Sequence, residues 1–275
     1  MSFLNNIWQL LPSVDWLLGT PEPTGPFMPT YADVCRARAL LKTLRLPTEL
    51  VLSVLHHAHY WPVAEFSHHG RIHANASASG NRSSAAAICL EANIYSAPIV
   101  EEVRLGGETA KIKRITFDIT SRDQGWTSED TQGTFSTSSW LEVSILRDAS
   151  NINSRLPTPR LVNTWISSPM DYHTNMVGRG WSLVKRPEIA MQGPQGGEGD
   201  YAWYLQGNRV MSLEEEYHVV WDECGLSEGN EGAGSGEGFL DALRPGDRVL
   251  VWARAKYPGW RCIVDNVSVT VHYGF

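Results

Sequence analysis

The chain has 275 residues, of which 42% are hydrophobic, and its formal net charge is −7. A negative balance disfavours nucleic acid as a partner, because nucleic-acid binding needs a basic face, and the scattered Lys and Arg residues form no polybasic patch for a membrane surface. No apolar run approaches the roughly 20 residues of a membrane-spanning helix, so we expect a cytoplasmic protein with neither partner.

Residues 1–60 are predicted to form an N-terminal helical segment. Its first part, MSFLNNIWQLLPSVDWLLG, is apolar but lacks a basic region and is interrupted by Pro12. We therefore interpret it as an amphipathic segment that docks on the body of the protein and not as a signal peptide. Residues 20–30 are Pro-rich, which is typical of a linker.

Two helices are predicted after the linker. The first runs from Tyr31 to Arg45, and the second falls within LPTELVLSVLHHAHYW, where Pro47 lies in the first turn. The second helix carries an apolar stripe at a spacing of three to four residues, formed by Leu50, Val51, Val54 and Leu55. The following residues, 61–84, are rich in Ser, His, Gly and Asn and are predicted to form a loop.

A β domain is predicted over residues 85–275, because short apolar segments alternate with polar positions there. About eight strands in such a region favour an antiparallel two-sheet β-sandwich or jelly roll over a parallel α/β sheet. The predicted strands include segments near residues 88–95, 114–120, 140–145, 161–166, 202–206 and 217–221, followed by two long C-terminal strands.

The C-terminal stretch, residues 243–275, has the clearest pattern in the chain. Val249, Val251 and Ala253 alternate with Arg248, Trp252 and Arg254, which predicts a strand with one apolar and one polar, aromatic face. A corner, Tyr257-Pro258-Gly259-Trp260, separates it from the last strand.

Two inserts and one turn are interpreted as surface features. Residues 192–199 and the acidic, Gly-rich run 223–238 contain few apolar side chains, so we expect both to be surface loops. Asp123, in the SRDQGW turn, is interpreted as a residue that fixes the loop through its carboxylate and not as an acid catalyst.

Several segments together resemble a largely uncharacterised fungal family. They are ITFDITSRDQGW, GTFSTSSWLEVSIL, WYLQGNRV, YHVVW and LRPGDRVLVWARAKYPGW. In that family a galactose-binding-like β-sandwich follows a short F-box-like helix of the LPxEL type, and the resemblance covers most of residues 46–273. It implies a fold and a fungal origin, and no particular chemistry.

The F-box-like part of the resemblance is incomplete. The matching positions are Leu46, Pro47, Glu49, Leu50 and Leu55, and the helices that complete the Skp1-binding surface of F-box proteins have no counterpart. We therefore do not expect a Skp1-like partner, and the alternative is that this helix packs on the sandwich.

No metal or cofactor is expected. Six of the nine histidines lie between His56 and His73, yet the His57, His59 and Glu65 set precedes the predicted sheet, so we interpret the cluster as a surface feature. No Gly-rich phosphate loop follows a strand, and no nucleophile elbow is present. The four cysteines form no CxxC pair and are expected to be reduced.

A ligand-binding face is predicted on the polar side of the β strands. Aromatic rings there share a face with hydrogen-bonding groups, which is typical of a ligand site. The alternative is a second sheet face that the N-terminal helices cover. The candidate ligand-binding residues are Trp140, Glu142, Trp203, Tyr204, Gln206, Arg209, Trp252 and Arg254, and no catalytic residue is identified.

Two kinds of function fit these residues, and an F-box-type substrate adaptor that depends on Leu46 to Leu55 is a third alternative. One is a non-catalytic, lectin-like or peptide-recognising binder, in which aromatic stacking and Gln206, Arg209 or Arg254 hold a polar ligand such as a glycan. The other is a cofactor-free cyclase or pericyclase of fungal natural-product biosynthesis, which positions a small organic substrate in an aromatic pocket, with Arg209 or Tyr204 as a hydrogen-bond donor. A lectin predicts a shallow, exposed aromatic face, and a cyclase predicts an enclosed apolar cavity. A small-molecule pocket is favoured over a glycan surface, because the tryptophans are spread through many strands.

Overall fold

A computed structural model describes residues 28–79, 82–149, 157–159, 161, 164–193, 195–196 and 199–275. The predicted amphipathic segment at the start of the chain and most of the predicted linker lie outside the described residues. Among the residues described, none of the helices has both the length and the hydrophobicity that crossing a membrane requires.

The described chain begins with a helical hairpin. Helix α1, Tyr31–Thr43, starts with a capping box in which the Thr30 hydroxyl accepts from the Asp33 amide and the Asp33 carboxylate accepts from the Thr30 amide. Helix α2, Thr48–His57, follows Pro47 and buries Val51 and Leu55. Both predicted helices are confirmed, and they form a small core with Val34 against the end of the sandwich, where Phe275 lies.

In the described part of the chain ten strands form two five-stranded antiparallel sheets, so the predicted two-sheet β-sandwich is confirmed. Sheet A has the order β1-β10-β3-β7-β8, and sheet B has the order β2-β9-β4-β5, with β6 also paired to β4. The strands are β1 Val63–Asn75, β2 Ser84–Ala92, β3 Lys111–Arg122, β4 Ser139–Asp148, β5 Trp181–Leu183, β6 Trp203–Gly207, β7 Glu215–Asp222, β8 Ser227–Glu228, β9 Arg248–Lys256 and β10 Arg261–Gly274.

The main core lies between the two sheets and follows the alternation of the sequence. Val249, Val251 and Ala253 of β9 point into it, and the apolar row of β10 meets them from sheet A. Three further helices are α3 Pro98–Leu105, α4 Pro169–Val177 and α5 Phe239–Ala242. Helix α4 packs on the outer side of sheet B, where a second apolar cluster forms.

The predicted loop over residues 61–84 is wrong for most of its length, because β1 occupies Val63–Asn75. This strand is at the edge of sheet A, where its one partner among the described strands is β10, and most of its side chains are half-buried or exposed. The side chains of β1 that pack on the core do alternate, namely Ala64, Phe66, Ile72 and Ala74, but His68 and Gly70 interrupt the row and weaken the signal for a strand.

The acidic, Gly-rich run 223–238 is also more ordered than predicted. The Trp221 indole donates to the Gly234 carbonyl over 2.7 Å, and the Gly234 amide donates to the Leu205 carbonyl over 2.8 Å. A Cβ at Gly236 would collide with the Trp221 ring, and one at Gly232 would collide with Phe135. The glycines therefore let the backbone lie directly on aromatic rings, which replaces the apolar side chains that a packed loop normally needs.

Two further predictions differ from the structure in smaller ways. The described residues of the predicted strand 161–166 are not in a strand, although Ile166 accepts a hydrogen bond from the Ala86 amide of β2. The predicted loop 192–199 lies partly outside the described residues.

Candidate functional site

The strands bring five of the predicted site residues together on the outer face of sheet B. In the β4–β9 pairing Trp140 is opposite Arg254, and Glu142 is opposite Trp252. Tyr204 of β6 is opposite Glu142 and joins the same face. The period-two pattern therefore predicted correctly which of these side chains share a face.

These side chains interact with one another and are covered. Glu142 and Arg254 form an ion pair that is buried, with side-chain exposures of 0% and 1%. The Trp140 indole donates to Glu142 over 3.1 Å, and the Arg254 guanidinium lies 5.2 Å from the centre of the Trp140 ring. Arg254 also donates to the carbonyls of Ala85 and Ser167, so the buried charges have partners within the chain.

Trp252 is fully buried beneath helix α4. Its indole donates to the Ser144 hydroxyl over 3.0 Å, and the Tyr172 ring packs edge-on at 5.1 Å. Met176 and Trp181 complete the apolar cluster around it. The connection between β4 and β6 thus covers this face, whereas the N-terminal helices, the alternative predicted from the sequence, pack elsewhere.

The three remaining predicted residues do not join this face. Trp203 lies in the core between the sheets and donates to the Glu237 carbonyl over 2.9 Å. Gln206 is buried and donates to Asn230, while Arg209 pairs with Glu215 at 3.3 Å in the loop after β6. The β4–β6 pairing has an irregularity between Leu141 and Glu142, so simple alternation does not hold through β6.

The described large aromatic side chains that are exposed to solvent all lie at one end of the sandwich. They are Trp126 at 57%, Tyr257 at 47% and Trp165 at 41% exposure, and we call them the aromatic row. Two of them belong to loops that connect strands at this end, after β3 and between β9 and β10.

Trp126 is held by a turn with little freedom. The buried Asp123 carboxylate accepts from the Gly125 amide over 2.7 Å and from the Met211 amide over 2.9 Å. The Gln124 side chain donates to the Trp126 carbonyl and accepts from the Arg261 amide, which ties the turn to β10. Asp123 thus has the loop-fixing role that was predicted.

Burial also affects the acidity of Asp123. Loss of solvent raises the pKa of its carboxyl above the usual value, while the two backbone N–H groups that bond to the carboxylate oppose that rise. Proton transfer is not needed to explain this residue, because both of its oxygens are used in holding two loops together.

Tyr257 has an unfavourable backbone conformation. Its φ is 70°, in the left-handed region that residues with a Cβ rarely adopt. Its amide donates to the Ser83 carbonyl over 2.7 Å, and the Lys256 ammonium lies 5.3 Å from its ring centre. Strain of this kind persists where the surrounding structure enforces it, and such positions are concentrated at binding sites.

The three rings are connected through neighbouring loops. A Cβ at Gly259, in the same corner as Tyr257, would lie 3.1 Å from the Trp126 ring, so this indole rests on the corner. The Ser83 carbonyl accepts a hydrogen bond from the Tyr257 amide. The guanidinium of the adjacent Arg82 stacks 4.9 Å from the centre of the Trp165 ring. The row therefore combines three aromatic faces with two cations, Arg82 and Lys256.

The sequence contains a signal for this end that strand alternation does not reveal. Trp126 and Tyr257 lie in turns, SRDQGW and YPGW, outside the alternating strands, although Trp260 of the second turn is buried in the core. Turn residues reach the surface, so an aromatic residue in a tight turn is a candidate for ligand contact.

A cavity of about 410 Å³ lies between the helical hairpin and sheet A. Its apolar wall includes Leu52, Leu55, Trp61 and Phe275. Trp61 also lines a neighbouring cavity of about 250 Å³, which His272 and Met28 border. Burial, together with the nearby Arg114 charge, lowers the pKa of His272 to about 4.

Comparisons with known proteins show no family for this chain. No protein-family model matches the chain, and no curated protein matches it. A solved structure described as "Crystal structure of 60-mer BFDV Capsid Protein" aligns with 77% of this chain and 91% of that chain at 11% identity and a TM-score of 0.21. At that score the likeness supports no argument about this protein.

Proposed function

We propose that the protein is a non-catalytic binding protein that takes a polar organic ligand of the carbohydrate class on the aromatic row. The observation that supports this most directly is the exposure of Trp126, Tyr257 and Trp165 at one end of the sandwich. Exposed indole and phenol rings provide flat apolar surface, and the C–H faces of sugar rings stack on such surfaces while their hydroxyls remain hydrogen-bonded.

The rigidity of the row supports a binding role. Trp126 is fixed through Asp123 and Gln124, and Tyr257 is held at a positive φ. A ring that is held in place before binding loses little conformational entropy on contact with a ligand. The positive φ of Tyr257 supports this role, because backbone strain persists only where the surrounding structure enforces it.

The polar groups beside the rings define the ligand further. Arg82 and Lys256 supply donors next to Trp165 and Tyr257. Both are cationic, so the row favours ligands that carry hydroxyls together with carboxylate or other acidic groups over purely apolar molecules.

An enclosed-pocket cyclase has less support among the described residues. The face that was expected to offer Trp140 and Trp252 to a substrate is filled by Arg254, Tyr172 and the rest of the covering segment. Substrate preorganisation needs an enclosed apolar space, whereas the aromatic row is open. A binder is therefore the better interpretation.

A glycan array followed by titration calorimetry tests the proposal. The array should include neutral and uronic-acid-containing oligosaccharides, and the acidic ones should bind more tightly. Trp126→Ala should weaken binding of the best ligand by about five- to tenfold, because one stacked ring contributes roughly 1 kcal/mol.

Leu226→Ala is the matched control. Leu226 is 66% exposed and lies in the turn before β8, away from the row, so its removal should leave affinity unchanged. Failure of the wild-type protein to bind any glycan on the array, or equal binding by wild type and Trp126→Ala, would overturn the proposal.

A further inference from the structure

Trp61 lies where the helical hairpin meets sheet A. It belongs to the junction between α2 and β1, residues 58–62, and is buried at 7% exposure. In the described part of the chain, cavities of about 410 and 250 Å³ flank this residue, and Trp61 lines both. Because so much volume beside the ring is unfilled, the docking of the junction on the sheet depends strongly on the contacts that the ring does make.

Three histidine rings surround Trp61. The His59 ring stacks on the indole at 5.1 Å, and the His56 ring lies edge-on to it at 5.4 Å. The His272 ring of β10 approaches from sheet A, with 6.3 Å between the ring centres. His56 and His59 move with the hairpin, whereas His272 is fixed in the sheet, so this ring cluster joins the two parts of the molecule.

The surroundings of His272 favour its neutral form. Its Nδ1 atom is buried and has no hydrogen-bond partner among the described residues. A neutral imidazole can keep this nitrogen unprotonated, whereas protonation would place an N–H group and a charge there without a partner. Arg114 of β3 is directly opposite His272 in the β10–β3 pairing, and like charges at opposed positions repel each other.

The acidity of two of the three histidines reflects these surroundings. Burial, followed by the charges of Arg114 and His59, lowers the pKa of His272 from 6.5 to about 4. Burial, followed by the charges of Arg114 and His56, also lowers the pKa of His59. Both rings are therefore neutral when the junction is docked near neutral pH.

Acidic groups on β7 and β8 face the cluster without reversing this preference. Asp222 is opposite Arg114 in the β3–β7 pairing. The charges of Asp222 and Glu228 act to raise the pKa of His59, but burial and the Arg114 charge outweigh them. The cluster thus has a net resistance to positive charge.

One further carboxylate lies beside His56. Glu223, in the turn after β7, is 3.4 Å from the His56 Nδ1 atom. The Lys113 ammonium donates to both oxygens of the same carboxylate, over 2.7 and 2.8 Å. His56 therefore has a mixed ionic environment, and the acid response is assigned to His59 and His272.

We propose that His59, Trp61 and His272 form an acid-sensitive switch. Near neutral pH the two imidazoles are neutral, and the junction between α2 and β1 is docked on sheet A. In acid, positive charges develop beside Arg114, and the junction leaves the sheet so that the imidazoles reach water. Undocking joins the two cavities and exposes Trp61, which lines both of them.

The direction and size of the response follow from linkage. Because the pKa of docked His272 lies below its usual 6.5, the docked state is fully favoured above pH 6.5 and loses stability as the pH falls toward 4. For this residue alone, the ratio of undocked to docked molecules should rise about twentyfold between pH 7 and pH 5. Protonation of His59 acts in the same direction.

Hydrogen–deuterium exchange of the full-length protein measures this ratio. Peptides over residues 55–62 report on the junction, where the Tyr60 amide donates to the Leu55 carbonyl. After correction for the pH dependence of the chemical exchange rate, exchange in these peptides should rise about twentyfold from pH 7 to pH 5. Peptides over residues 248–254 of β9 are the internal reference and should show no such rise.

Matched substitutions assign the response to His272. His272→Gln keeps a polar side chain but cannot become charged, so most of the rise should disappear. His218→Gln is the control, because His218 lies on β7 of the same sheet and pairs with Asp118, so the full rise should remain. Arg114→Gln leaves every histidine in place and removes the opposing charge, so it should also reduce the rise. Circular dichroism at pH 7 verifies that the variants are folded.

Three results would contradict the switch. Junction peptides of the wild type may show no rise, or the β9 peptides may rise in parallel, which indicates global unfolding. The third is an equal rise in His272→Gln and His218→Gln or, if His272→Gln does not fold, an undiminished rise in Arg114→Gln. None of these results depends on whether the aromatic row binds a glycan.

Discussion

The outer face of sheet B and the loop end of the sandwich both combine tryptophan with charged groups, yet they differ in what surrounds them. On the sheet face, Trp140 and Trp252 are 2% and 0% exposed, because a long connection of the same chain covers them. At the loop end, Trp126 is 57% exposed on a turn that nothing described covers. The comparison teaches that an aromatic, polar face becomes a ligand site only if the chain does not cover it.

The difference has an energetic meaning. In a buried layer of aromatic and charged side chains, each side chain provides the hydrogen-bond or charge partner of another. Loss of one side chain therefore destabilises the whole layer. An exposed ring on a fixed turn contributes little to folding and remains available to a ligand. Substitutions in the two regions should therefore separate stability from binding.

The largest expected effect is on the sheet face. Arg254→Leu leaves the Glu142 carboxylate buried without its charge partner, so the free energy of unfolding should fall by about 3–5 kcal/mol. Urea denaturation measures this loss. Glu142→Leu combined with Arg254→Leu should recover most of it, and a loss below about 1 kcal/mol in the single variant would show that the pair is not sealed from solvent.

A smaller loss is expected beneath helix α4. Trp252→Phe removes the bond to the Ser144 hydroxyl and part of the contact with Tyr172, and should cost about 2 kcal/mol. Thermal unfolding gives this value, and ligand affinity should not change. If affinity fell while stability stayed the same, Trp252 would be a ligand contact and the comparison between the two regions would fail.

At the loop end, one glycine links stability and binding. Gly259 has a φ of 96°, and a Cβ there would press on the Trp126 ring at 3.1 Å. Gly259→Ala should cost about 1–2 kcal/mol through backbone strain and should displace the indole, so binding weakens as well. Chemical denaturation and calorimetry on the same sample measure both effects. Gly225→Ala is the control, because Gly225 also has a positive φ but an added Cβ there would meet no other atom. This variant should lose stability through backbone strain without displacing an aromatic ring.

The smallest effect should have the opposite sign. Tyr257→Asn replaces the strained residue with one that tolerates the left-handed region, so the free energy of unfolding should rise by about 0.5–1 kcal/mol while ligand affinity falls. A rise in stability together with unchanged affinity would mean that the Tyr257 ring does not contact the ligand.

Much of the fold could be predicted from the sequence because alternation is a local signal. The pairing of Trp140 with Arg254 and of Glu142 with Trp252 follows from strands whose faces were identified correctly. The cover of that face could not be predicted in the same way. Helix α4 is short, and the signals for it, Ser168 as the N-cap and Pro169 at its first turn, lie in a region with little apolar periodicity.

The features that could not be predicted from the sequence have a common cause. Strand β1 is stabilised by main-chain pairing, the Gly-rich run 223–238 by backbone packed on rings, and the aromatic row by turns. Each depends on contacts between residues far apart in sequence, and the one apolar row among them, Ala64, Phe66, Ile72 and Ala74 of β1, is interrupted by His68 and Gly70. The remaining local signal for the aromatic row was a large aromatic side chain in a turn, as at Trp126.

The edge strands of sheet A also affect whether molecules of this protein associate edge to edge in concentrated solution. Strand β1 carries His68, His69 and Arg71, and its register shifts around Gly70, while β8 at the opposite edge is only two residues long. Charged groups, a bulge and a very short strand are the features that prevent one sheet from extending onto another. Sheet A can therefore present free main-chain groups at both margins without recruiting further chains into fibrous aggregates.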